Sequence, residues 1–193
     1  MPLDEQAIIE RLLFALKISL TDIEVCELRL KWSLDQGLLP GETDQETVTI
    51  VLSGKPLDID QIVNRIARSS RLARRLRRFG IWQGELARKG NTYIELADSD
   101  DVKDLRDAVE HFEDYIVGEG NHQSRIVVDD RVVGPTIVYS NSGEDHLVVL
   151  FGRYYNLGDV TRAAAAFEPL VDPIGYRTSN RERDVEVTNQ EEE

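Results

Sequence analysis

The chain has little of what most enzymes and secreted domains are built from: one cysteine, three histidines and five lysines in 193 residues. A lone thiol, Cys26, cannot close an internal disulfide. Its neighbours Ile23, Val25 and Leu28 suggest a buried, inert thiol rather than a nucleophile, and a reducing cytoplasm suits it. The histidines are His111, His122 and His146, and only Asp107, His111 and Asp114 share a helical face around one of them. That trio matches no zinc-protease or other metal spacing, so neither a metal nor a cofactor is expected. Long apolar runs are missing too. The longest uncharged stretch, Val132–Gly143, is interrupted by Gly134-Pro135 and falls far short of the ~20 residues of a spanning helix. Met1–Glu5 carries no basic, apolar leader, so the reading is a cytoplasmic chain without a membrane partner. Gly54-Lys55-Pro56 lacks the Ser or Thr and the upstream glycine of a phosphate loop, and neither a Gly-x-Ser-x-Gly elbow nor a dinucleotide glycine pattern occurs. These gaps disfavour an enzyme.

What the chain does have is charge, unevenly placed. Hydrophobic residues make up 41% and charged residues 31%, enough for a folded core. The net charge of −13 sets the average surface against nucleic acid and anionic lipid. The average conceals a reversal. Between Gln61 and Gly90 nine cations stand against one acid, Glu85, leaving fourteen cations against thirty-five acids elsewhere. Eighteen of the cationic residues are arginines, planar forks suited to phosphate or carboxylate.

The apolar spacing predicts an amphipathic helix over Asp4–Leu20, carried by Ile8, Ile9, Leu12, Leu13, Leu16 and Leu20. The alternation Leu28, Leu30, Trp32, Leu34 then predicts a strand paired with Thr47–Leu52, although Ile23, Cys26, Leu30 and Leu34 also share a helical face. Asp58 begins a helix as its cap, with Gln61 three residues on and Leu57 against Ile62. The stripe Ile59, Ile62, Val63, Ile66 breaks at Ser69-Ser70 and restarts at Leu72, Leu76 and Phe79, which predicts two helices joined by a tight turn. Ile81–Arg88 and Thr92–Leu96 around Lys89-Gly90-Asn91 predict a hairpin. A connecting helix follows, capped within Asp98–Asp101 and carried by Val102, Leu105, Val109, Phe112 and Ile116. Strands at 125–128, 131–133, 136–140 and 146–151 then predict a small antiparallel sheet, and Asp159 caps a last helix to Phe167. The fold class expected is α+β. It divides into an N-terminal region 1–97 with a helix-turn-helix-like segment 58–97, a helix-and-sheet region 98–176, and a disordered acidic tail 177–193.

The chemistry concentrates in the second short helix, where Arg71, Arg74, Arg75 and Arg78 fall at i, i+3, i+4 and i+7 and form one stripe. Four like charges on one helix repel, by a few tenths of a kcal/mol for each adjacent pair, unless an anion offsets them. From Asp58 to Ala97 the order of helix, turn, Arg-striped helix and basic-tipped hairpin resembles a winged helix-turn-helix. That resemblance implies DNA-binding arginines at Arg71, Arg74, Arg75 and Arg78 and wing contacts at Arg88 and Lys89. The expected role is thus a non-enzymatic nucleic-acid-binding or regulatory protein. The other reading open at this point is a structural or assembly subunit whose Arg helix meets an acidic protein surface, in a partner or a second copy. In a third, the arginines pair with the chain's own acids.

Overall fold

Helix α1 runs from Glu5 to Gly37 without interruption. The computed structural model describes residues 4–37, 47–50, 57–127, 136–140 and 146–176, and for 30–37, 47–50, 57–58, 136–140, 146, 147 and 149 it describes the backbone alone. Ile9, Leu13, Leu16, Leu20, Ile23 and Cys26 of α1 are all buried, and beyond this stripe the backbone stays helical through the segment expected to turn into strand. The alternation at 28–34 misleads because leucine, arginine and lysine are all strong helix formers, and Leu28, the first residue of the supposed buried face, is 57% exposed.

Strand β1 (Thr47–Ile50) is followed by α2 (Leu57–Leu76), a short 3-10 turn Arg77–Phe79, α3 (Gly84–Ala97), α4 (Asp100–Glu110), α5 (Phe112–Ile116) and α6 (Gln123–Ile126). Strands β2 (Thr136–Ser140), β3 (His146–Leu150) and β4 (Arg153–Asn156) precede α7 (Gly158–Phe167) and a 3-10 turn Glu168–Leu170. The protein is therefore predominantly helical, and the expected α+β arrangement is corrected at four places. No strand forms at 28–34, so the expected strand pair is absent; β1 lies instead beside β2, with Val48 opposite Tyr139. Residues 123–126 are helical, and 131–133 lie outside the described residues, so the separate four-stranded C-terminal sheet is not what forms. The backbone ladder runs β1-β2-β3-β4, all antiparallel, and β4 is the one strand described to every side chain.

The third correction removes the helix-turn-helix. Helix α2 is one rod, because Ser69 and Ser70 continue its buried stripe through Ile66, Ala73 and Leu76. Ser69 Oγ donates back to the Arg65 carbonyl at 2.6 Å and meets the Tyr93 hydroxyl at 2.5 Å, so a small polar residue is satisfied at a close helix contact. The fourth correction turns the hairpin into α3. Gly90, expected at a turn, lies inside that helix facing Trp82, and a methyl group there has no room beside the indole. The indole Nε1 donates to Asn91 Oδ1 at 3.1 Å.

Ser99 caps α4, its Oγ accepting from the Val102 N–H at 3.4 Å. The helix expected to continue to Ile116 breaks at His111 (φ −119°, ψ 31°). At α7 the Gly158 N–H donates to Asn156 Oδ1 at 2.8 Å, while Asp159, the expected cap, pairs with Arg162. The core lies where α1, α2, α3 and α7 meet, with the Phe167 ring 5.5 Å from Trp82 and 5.8 Å from Tyr93. A second aromatic cluster forms at the β3–β4 turn, where Phe151 (φ 52°) and Gly152 (φ 77°) both take left-handed backbone. For Phe151 that conformation costs ~1–2 kcal/mol, offset by burying its ring beside Phe112 (5.2 Å) and Tyr115 (5.8 Å). Among the described residues no helix is long and apolar enough to cross a membrane.

Candidate functional site

With one face of α2 turned to the core, its opposite face lies outward as a consequence of the helical period. Gln61, Asn64, Arg68, Arg71, Arg75 and Arg78 follow one another along it at heptad-like spacing, and all are exposed. The arginines from 68 to 78 extend over roughly 15 Å of helix. They surround an open concavity of about 450 Å³ whose lining is Arg68, Arg71, Leu72, Arg74, Arg75 and Arg78. Among the described residues no carboxylate lines it, and Leu72 is its apolar element.

The predicted stripe is brought together in part. Arg71, Arg75 and Arg78 stand on the groove and make no ion pair among the described residues. Arg74 also borders it, but its Nη2 is drawn to Asp98 Oδ1 at the end of α3 and lies 3.3 Å from Ser70 Oγ. Arg88 and Lys89 sit on α3, not on a wing; neither lines the groove, and Arg88 Nη2 pairs with Glu85 Oε1 at 3.0 Å. Sequence reasoning missed Arg68, because a turn placed at Ser69-Ser70 separated it from the stripe. A continuous helix would have revealed it at i−3 to Arg71. Arg65 is taken by Asp22 of α1 at 3.2 Å.

The histidine trio does not assemble. His111 Nδ1 lies 3.3 Å from Asp114 Oδ2, but the Asp107 carboxylate accepts the Tyr115 hydroxyl instead. Among the described residues no three potential ligands come together for a metal. Burial, reinforced by that Asp107 hydrogen bond, pushes the Tyr115 phenol up to about 12.

A second charged cluster lies between α4, α6 and β4. Arg125 Nε is 2.9 Å and Arg153 Nη1 3.1 Å from Asp104 Oδ2, whose side chain is 4% exposed. Arg153 also reaches Asp101 at 3.0 Å and lies over the Tyr155 ring, 5.1 Å from its centroid. The buried Tyr155 hydroxyl has no hydrogen-bond partner among the described residues. Burial pushes that phenol up to about 12, against the pull of the Arg153 guanidinium in the other direction.

Comparison with known proteins found no family model, no curated protein and no solved structure that matches this chain.

Proposed function

We propose that the chain is a non-enzymatic binding or regulatory protein that docks nucleic acid on the outer face of α2. The observation that carries this reading is Arg68, Arg71, Arg75 and Arg78 standing together on one groove without a carboxylate partner among the described residues. Several other guanidinia are taken up, since Arg65, Arg74, Arg88, Arg106, Arg125 and Arg153 each have an acid within reach, while the exposed Arg11, Arg29 and Arg77 make no ion pair among the described residues. Guanidinium forks suit phosphate oxygens, and a backbone with a phosphate every ~3.4 Å along each strand offers several to a stripe of this length. Phosphate contacts of this kind fix position without reading sequence. The winged arrangement has no part in the proposal, since α2 is a single rod. A cytoplasmic location belongs to the same reading, and a single buried thiol fits it.

A second reading, an assembly subunit docking an acidic protein surface, is supported by Leu72, which offers an apolar contact among the guanidinia. Fluorescence anisotropy of labelled mixed-sequence duplex DNA separates the two. If four phosphates are engaged, affinity falls roughly 100-fold between about 50 and 200 mM salt. The Arg71→Glu, Arg75→Glu, Arg78→Glu variant loses binding at both. A native protein that leaves the DNA free at the lower salt overturns the nucleic-acid reading.

A further inference from the structure

We propose that the chain's own C-terminal segment, Asp184–Glu193, occupies the arginine groove of α2 and competes with other anions for it. This shares the groove with the function proposed above but does not depend on nucleic acid.

Three observations converge on that occupant. First, the groove asks for carboxylates around one apolar contact: four guanidinia without an acid among the described residues surround Leu72. Second, Asp184–Glu193 carries five acids, Asp184, Glu186, Glu191, Glu192 and Glu193, and no cation, with Val185 and Val187 among them. Charge and apolar character are thus supplied in one short stretch, whereas Asp22, Asp98 and Glu85 are already used by Arg65, Arg74 and Arg88. Third, the segment is tethered to the same core that holds the inner face of α2, since Tyr176 packs on it.

From Tyr176 the seven residues 177–183, which hold Arg177, Arg181, Glu182 and Arg183, can span up to roughly 23–25 Å before Asp184. A short tether of this kind holds its end at an effective concentration of order millimolar. A segment that binds only weakly as a free peptide therefore fills the groove when attached.

The test compares the full chain with a variant of the same length carrying Asp184→Asn, Glu186→Gln, Glu191→Gln, Glu192→Gln and Glu193→Gln. Backbone amide NMR spectra at about 50 mM salt are expected to differ at residues 68–78 as well as in the tail. They should merge near 0.5 M salt, where screening acts within roughly 4 Å. Differences confined to residues 177–193, or displaced to the Phe14, Ile18, Val25 and Leu28 face of α1, overturn the proposal. The same two proteins are then titrated with duplex DNA, and the neutralised one should bind about tenfold tighter. Shifts at 68–78 without DNA binding by either protein leave the tail contact standing and end the nucleic-acid reading. Equal DNA binding with coincident α2 signals does the reverse.

Discussion

At the junction of α4, α6 and β4, Arg125 and Arg153 close on one buried carboxylate, Asp104, whereas on the outer face of α2 and the turn after it Arg68, Arg71, Arg75 and Arg78 have none among the described residues. The residue type is the same and acids are in excess, so the difference lies in what the fold encloses. A guanidinium carried toward the interior by β4 needs its countercharge there, because an unpaired buried charge costs several kcal/mol. One on the outer face of a helix keeps its hydration and carries only the mild repulsion of its neighbours. The first arrangement is a condition of folding. The second leaves charge available for something outside the core.

If the comparison holds, its largest consequence is at Asp104. Asp104→Ala leaves two guanidinia facing a buried gap and is expected to cost about 3 kcal/mol in urea unfolding, the low end for a broken buried pair because Arg125 retains access to water. A loss below ~1 kcal/mol would mean that the cluster is solvated like the α2 face and would erase the contrast.

Within the same cluster Tyr155 offers a smaller, signed effect. Its hydroxyl is buried without a partner among the described residues, so Tyr155→Phe is expected to stabilise the fold by about 1 kcal/mol at neutral pH. The phenol's folded value of about 12 lies above its ordinary 10.0. The fold therefore favours the neutral form, and that contribution is complete below pH 10 and lost as pH rises toward 12. Native protein should weaken over this interval, and the phenylalanine variant should weaken less. It should still weaken somewhat, because burial also raises the Tyr93 phenol. Urea midpoints measured on either side of pH 10 decide it, and an equal loss in both proteins would remove Tyr155 from the account.

The two regions were unequally legible beforehand. The first half of α1, the start of α4 and the end of α7 show in the sequence because leucine, isoleucine, valine and phenylalanine mark their buried faces at helical spacing. The second half of α2 and all of α3 do not, because Ser69, Ser70 and Gly90 bury surface there while resembling residues that end helices. Their fit depends on Tyr93, Asp98 and Trp82 approaching from other turns of the chain, a tertiary fact that local pattern does not contain. The Arg stripe was visible from its period, but its membership was not. Arg74 is taken by an acid twenty-four residues away that α3 delivers, and Arg68 was cut off by a turn that does not exist. The Asp104 cluster left no trace at all, since its three residues come from α4, α6 and β4.

The smallest expected effect is the most direct on the α2 face. In the tail-neutralised chain, where the C-terminal acids cannot compensate, Arg71→Ala, Arg75→Ala and Arg78→Ala together should leave stability unchanged or raise it by a few tenths of a kcal/mol. The gain arises because Arg71 lies three residues from Arg68 and Arg74 and four from Arg75, and Arg78 three from Arg75 and four from Arg74, so five like-charge pairs are relieved while no ion pair among the described residues is lost. It should disappear at high salt, which already screens exposed charges. Thermal melts of the two proteins at low and high salt measure it. A loss above ~1 kcal/mol would show that these guanidinia support the fold as Arg125 and Arg153 do, and the reason for seeking an anion outside the core would go with it.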